Sequence, residues 1–384
     1  MDMELARILH TIAVKLMLRN NSIFDYPVKK QKLYLAHFLE PKDDFQRSYF
    51  QYKCQMSLNK PLVSFLLNMV SLPLLFLLFF KCGSKQNCAQ KETLFFSDGK
   101  PENIIPDILR KNVGEIEVVN EKKGYLSNDD KKFIIKLWLK YPFSFQFIVK
   151  CLLKIQYYSY EIQRLHPKNI IVCSEYSFTS SVLTQYCEER GIKHINVMHG
   201  EKLYYMRDSF FRFHECYVWD ELYKNLFIKL RTETTQFKIA VPPSLKFPEG
   251  DAVPKTVDYT YYLGAERGSK LKTIVDAMER IRLSGKNVAI RPHPRYTDLN
   301  EITRVAPEIE IEDCKKITIE LSLKRTVHAI SVYSTVLNQA YNNGIDVVLD
   351  DISDKDKFNL LNERLYVMLD KPHELLSSIV GEGK

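Results

Sequence analysis

Val288-Ala289-Ile290-Arg291-Pro292-His293-Pro294-Arg295 runs from an apolar strand straight into a proline-flanked histidine held between two arginines. The prolines fix their own φ and restrict the residues before them, so the histidine sits on a stiffened turn at a strand's end. Arg291, Arg295 and an imidazole N–H are all donors suited to a phosphate. The same residues would also make an ordinary basic loop, and the pentapeptide alone does not separate the two.

The neighbourhood of that stretch alternates regularly. Before it, a strand over 259–263 leads through Gly264-Ala265-Glu266-Arg267-Gly268-Ser269 to a helix over 270–283. After it come an edge-like strand (308–312), a helix (318–324) and a strand (328–332). Tyr333-Ser334-Thr335 then opens a helix over 336–342, Gly344 ends it, and a last strand over 346–349 is capped by Asp350-Asp351. The interval 242–255 holds Pro242, Pro243, Pro248 and Pro254 with almost no regular period, which marks an interdomain linker.

An equivalent alternation precedes the linker. Strands are expected at 93–96, 115–119, 169–173, 194–198, 216–219 and 238–241, with helices at 105–109, 131–164 and 178–190 between them. Short apolar strands separated by helices predict an α/β chain with two doubly wound, Rossmann-like domains that face a cleft. Such sheets bind ligands at their strand C-termini. The expected boundaries are a helical, membrane-associated region over 1–90, a first Rossmann-like domain over 91–247 and a second over 248–384.

The N-terminal region reads as helical and basic. Leu5, Ile8, Leu9, Ile12 and Leu16 share one helix face, and Lys29-Lys30-Gln31-Lys32 is a cationic cluster. Residues 61–80 carry no charge and, as a helix, would be roughly 30 Å long, the thickness of a hydrocarbon core. Membrane contact is expected there. Lys60 lies before it and Lys81 and Lys85 after it, so charge assigns no orientation. Pro73 after Ser71 makes an in-plane or re-entrant anchor, with both ends cytoplasmic, an alternative to a span. No secretory signal is expected, because Met1–Arg7 leads into an amphipathic segment.

Composition narrows the partners. The 384 residues carry a formal charge of +8, which favours an acidic partner. Nucleic acid is not expected, since there is no arginine-rich block, zinc-finger spacing or RNA-recognition signature. The eight cysteines are scattered without a C-x-x-C pair, pointing to a reduced protein without structural zinc.

Three strand ends of the second half suit phosphate chemistry: the Gly264–Ser269 loop, His293, and Ser334-Thr335 where a strand hands over to a helix. Free N–H groups and the helix dipole attract a phosphate at such a handover, and both hydroxyls can donate. An N-cap pair would look the same.

On those residues the second half, roughly 259–351, resembles the donor domain of bacterial surface-polysaccharide transferases of the GT-B architecture. The His293-Pro294 step and the Ser334-Thr335 pair are similar to the His-Pro and Ser-Ser/Ser-Thr motifs of the sialyltransferases, capsule Kdo transferases and CDP-glycerol glycerophosphotransferases. His199-Gly200 resembles a His-Gly step of the last group. The tandem acidic-acidic-Gly motif of the sialyltransferases is missing. The resemblance implies an inverting, metal-independent glycosyltransferase with no cofactor beyond a CMP- or CDP-linked co-substrate. It also implies a glycan or lipid-linked acceptor in capsule or lipopolysaccharide synthesis, at the cytoplasmic face of the bacterial plasma membrane. A polyol-phosphate transferase, a non-catalytic assembly subunit and a nucleotide-sugar epimerase are the alternatives on the same fold. In the implied reaction His293, Ser334, Thr335, Arg291, Arg295, Gly264 and Ser269 hold the donor phosphates. A base takes the acceptor proton: His199 first, then Glu201 and Glu175, with Asp98 last.

Overall fold

A computed structural model describes residues 23–80, 90–97, 99–120, 123–248, 250, 253–297 and 299–381. The helix expected over 5–16, Lys81, Lys85 and candidate Asp98 lie outside them.

The chain divides into two compact units: one of Met1–His199 with Tyr204–Ala240, the other of Gly200–Leu203 with Val241–Lys384. The division after Ala240 comes just before the proline-rich interval. That interval packs on the second unit, where Phe247 N–H donates to Asn343 Oδ1 at 2.8 Å and Asn343 Nδ2 to the Leu245 carbonyl at 2.9 Å.

The first unit is built on a six-stranded, all-parallel sheet: β1 (Thr93–Phe96), β2 (Ile116–Val118), β3 (Asn169–Val172), β4 (Lys193–Val197), β5 (Glu215–Val218) and β6 (Phe237–Ile239), in the order β2-β1-β3-β4-β5-β6. The direction of strand addition reverses between β1 and β3. One apolar layer of this unit gathers Phe95, Ile171, Ile195 and Val197 from the strands with Ile105 and Leu109 beside them. The single helix expected over 131–164 is two, Asn128–Lys140 and Phe145–Leu165. Pro142 lies between them, and a proline inside a helix removes a hydrogen bond and clashes with the preceding turn. The first of the pair starts at a reciprocal cap between Ser127 and Asp130.

The helices Val28–Ala36 and Asp44–Ser57 belong to this unit rather than to a separate N-terminal region. Gln51 Nε2 donates to the Glu175 and Arg207 carbonyls at 3.0 and 2.9 Å, and Ser48 Oγ accepts from Val182 N–H at 2.9 Å. Arg47 pairs with Glu233 at 2.7 Å, and Arg212 with Asp44. Periodicity alone could not assign these polar helices to partners more than a hundred residues away in sequence.

The second unit carries another all-parallel six-stranded sheet: β7 (Val257–Tyr262), β8 (Val288–Arg291), β9 (Glu310–Ile311), β10 (Thr326–Ser331), β11 (Asp346–Leu349) and β12 (Glu374–Leu375). Its order is β12-β11-β10-β7-β8-β9, which is 3-2-1-4-5-6 from the far edge when its strands are counted from β7. That is the dinucleotide-binding order, and its switch point lies between β7 and β10. Tyr261, Ile290, Ile330 and Val348 form one buried layer with Ile274 and Met278 of the Gly268–Leu283 helix. The expected α/β class with two doubly wound units holds. Only β12 had no expectation; two residues at an edge leave little trace of period.

Candidate functional site

The parallel strands of the second unit bring their C-terminal ends to one edge of its sheet, so the loops after β7, β8 and β10 are neighbours. Leu263 N–H donates to the Arg291 carbonyl at 3.0 Å, and Ser331 Oγ to the Tyr262 carbonyl at 3.0 Å.

His293 lies half-buried in the loop after β8. Arg295 N–H donates to its Nδ1 at 3.1 Å, and Tyr296 stacks on the ring at 4.5 Å between centroids. A ring nitrogen that accepts an N–H carries no proton, so the neutral imidazole presents an Nε2–H donor. Burial and then the Arg295 charge hold the His293 pKa below its usual value, against Glu266, which raises it.

Thr297 fastens this loop. Its Oγ1 accepts from His293 N–H at 2.7 Å and donates to the Gly264 carbonyl at 3.2 Å. One hydroxyl thus joins the loops after β7 and β8. Neither Thr297 nor Tyr296 was a candidate from sequence, and the only signal was their closeness to His293.

At the third strand end, Ser334 caps the Thr335–Asn342 helix, its Oγ accepting from Val336 N–H at 3.2 Å. Thr335 is exposed in the first turn. Both functions of such a pair, cap and anion donor, remain compatible with this geometry.

Two expected phosphate ligands are otherwise engaged. Arg291 is buried, with Nη1 on Glu312 at 2.8 Å and Nη2 on the Ile317 carbonyl at 2.9 Å. Arg325 completes the cluster on Glu312 at 2.9 Å. Arg291 therefore serves the packing of β8, because its side chain emerges within the strand, not beyond it. The Gly264 loop likewise faces carboxylates: Gly264 N–H donates to Glu266 Oε2 at 2.5 Å, and Gly268 N–H to Glu301 Oε1 at 3.0 Å. Ser269 and Arg295 are exposed.

The candidate bases separate. His199 is exposed just beyond β4, in the first unit. Glu175 is buried in the loop after β3, at the switch point of the first sheet, where Asn196 Nδ2 donates to it at 3.2 Å. Glu201 groups with the second unit, although it follows a first-unit strand by only a few residues. Asn338 Nδ2 donates to its carboxylate, and buried Lys371 donates to Asn338 Oδ1 at 3.1 Å. Burial first, and then the Glu201 charge, push the Tyr333 and Tyr366 phenols upward. Asn338 and Lys371 were not foreseen; Asn338 lies one helical turn after Ser334. Among the described residues no group of three or more His, Cys, Asp or Glu side chains could hold a metal ion.

In sequence, no family description and no curated protein matches the chain. Solved structures resemble it in fold. A variant of the wall teichoic acid polymerase TagF has 11% identity, covers 84% of this chain and 89% of its own, and has a TM-score of 0.41. The glycotransferase of kitacinnamycin has 7% identity, coverage of 73% and 84%, and a TM-score of 0.41. UDP-GlcNAc 2-epimerase from Methanocaldococcus jannaschii has 12% identity, coverage of 75% and 94%, and a TM-score of 0.38. At such identities the likeness is one of chain trace. The chemistry must come from the chain's own residues.

Proposed function

We propose that the chain is a glycosyltransferase of the GT-B class. In this reading it moves a sugar from a cytidine-nucleotide donor to a glycan or lipid-linked acceptor of bacterial surface polysaccharide, beside the cytoplasmic face of the membrane. One observation carries the proposal: the Nε2–H donor of His293 and the Ser334 helix terminus stand at the C-terminal ends of β8 and β10, the two strands that flank β7 in a sheet with dinucleotide-binding order. Inverting transfer to a hydroxyl needs donors for the departing phosphate and a base for the acceptor proton. His293, Ser334 and Thr335 are assigned the first task. His199, Glu201 and Glu175 are the candidates for the second. Cytidine is favoured by the likeness of the His-Pro and Ser-Thr steps to transferases that use it.

The test is a melting-temperature titration of the purified protein with CMP, CDP, UDP and GDP, followed by turnover of the donor class that binds. The expected result is stabilisation by a cytidine nucleotide that His293→Ala removes. Stabilisation by UDP or GDP alone would sink the cytidine assignment, and no response to any of the four would sink the donor site. Binding followed by polyol-phosphate transfer would replace the sugar. His199→Ala with near wild-type turnover would move the base to Glu201 or Glu175.

A further inference from the structure

The Pro61–Phe80 helix has its polarity turned inward. Leu62, Phe65, Met69, Pro73, Phe76 and Phe80 follow at three- and four-residue steps and are all exposed. On the opposite side Ser64, Asn68 and Ser71 face the protein: Ser64 Oγ donates to the Met56 carbonyl at 3.3 Å, and Asn68 Nδ2 to the Phe143 carbonyl at 2.9 Å. A surface helix in water would show the reverse arrangement.

The helix is also tied lengthwise to its neighbour. Gln146 N–H donates to Asn68 Oδ1 at 3.1 Å, and Gln156 Nε2 to the Leu78 carbonyl at 2.9 Å. Both pairs are separated by 78 residues, so the Phe145–Leu165 helix runs parallel to the apolar one, clamped at points roughly 15 Å apart. That partner buries Glu161, pairs it with Arg164 at 2.6 Å, and leads into β3. A crossing helix would draw these charges and the sheet towards hydrocarbon, at high cost.

The apolar face continues onto the Asn128–Lys140 helix. Trp138 packs edge-on against Phe76 at 5.8 Å, and Lys131 Nζ lies 5.8 Å from the centre of the Phe79 ring. Next round that helix come exposed Ile135 and Leu139, and then a row of lysines, Lys132, Lys136 and Lys140. Phe143, in the turn that follows, is 81% exposed. Lys132 and Lys140 keep acidic neighbours, Asp129 and Asp43, whereas Lys136 is exposed beside them. From 45 to 91 the chain has no Asp or Glu at all, and it has lysines on both sides of the apolar helix.

We infer that this face of the first unit lies on one leaflet of an anionic bilayer, with the Pro61–Phe80 helix in the membrane plane. Leu139 and Phe143 enter beside it, and the lysine row and Lys60 meet the headgroups. The inference rests on the membrane part of the proposed function and replaces a span or a membrane address of unspecified form with a monotopic one.

Sedimentation of the full chain with phosphatidylcholine vesicles, with and without phosphatidylglycerol, tests it without any nucleotide, so the outcome is independent of donor binding. Binding is expected to strengthen with phosphatidylglycerol. Lys136→Glu should weaken it about five-fold, and Leu139→Asp with Phe143→Asp more than about ten-fold, with unchanged melting temperature in buffer. Environment-sensitive dyes on Met69→Cys and Phe80→Cys should report the same shallow depth. Depths that step through the bilayer centre would overturn the in-plane geometry. Absence of vesicle binding would overturn the membrane face, and so would a change of oligomeric state in the Leu139→Asp, Phe143→Asp protein with unaltered vesicle binding.

Discussion

The main-chain N–H of Arg295 donates to Nδ1 of His293 at 3.1 Å, and this places the ring's remaining proton on Nε2. A glutamine amide reaches about as far as Nε2, whereas an asparagine amide reaches only as far as Nδ1. His293→Gln should therefore keep part of the turnover, and His293→Asn should lose about 100-fold or more, as removal of a preorganised donor does. Equal losses in steady-state kinetics would refute a role for the Nε2–H.

The same contact gives a pH dependence. Protonation of His293 removes the Nδ1 lone pair and breaks the bond to Arg295, so activity should fall on the acid side of a pKa below the usual histidine value. Arg295 is one of the causes that lower it. Arg295→Gln should move the acid limb of kcat/KM, and the imidazole resonance in an NMR titration, to higher pH. A shift to lower pH, or none, would contradict this electrostatic account.

Thr297 should matter more to the site than to stability. Thr297→Val removes two hydrogen bonds, one within the loop after β8 and one from it to the loop after β7. It should weaken nucleotide binding about ten-fold, for the equivalent of one or two hydrogen bonds. Thr297→Ser should restore it. Loss in both variants would mean that the methyl packing matters, not the hydroxyl.

Arg291 should show the opposite balance. Arg291→Met leaves Glu312 buried with Arg325 as its remaining partner, a change of about 3 kcal/mol in stability. The melting temperature should fall by on the order of 10 °C. Protein that remains folded should bind nucleotide as wild type does; a large loss of affinity at unchanged melting temperature would return Arg291 to the phosphates.

His194 supplies a pH test of the first unit. It is buried between Tyr158 OH at 3.0 Å and Thr184 Oγ1 at 2.8 Å, and burial lowers its pKa to about 3. With the folded value below the unfolded one, its contribution is present above the unfolded pKa and is lost as pH falls towards the folded one. The stability advantage of wild type over His194→Gln should shrink between about pH 6 and pH 4, by ~1.4 kcal/mol per pH unit at most. Denaturant melts at several pH values measure it, and a constant difference would refute it.

Much of the frame was legible residue by residue. Strands such as Thr93–Phe96 and Asp346–Leu349 fall where apolar runs are bounded by turn residues. The Ser334 cap was visible because capping is a local interaction. Pro142 was an equally local signal that the long 131–164 pattern had to break. Asn338 and Thr297 were not legible, since each matters through a partner 137 or 33 residues away.

Hydrophobic period and turn chemistry act over a few residues, and by themselves they determined the α/β class, the strand ends, and a histidine and a Ser-Thr pair just beyond two of them. Only the tertiary structure decided what each group meets there. Parallel pairing set the order β12-β11-β10-β7-β8-β9 and with it the switch point. Burial turned Arg291 towards Glu312, while Thr297 held the main chain of His293 and Arg295 its ring. A side chain's partner depends on which strands the fold makes neighbours, and a linear pattern does not contain that choice.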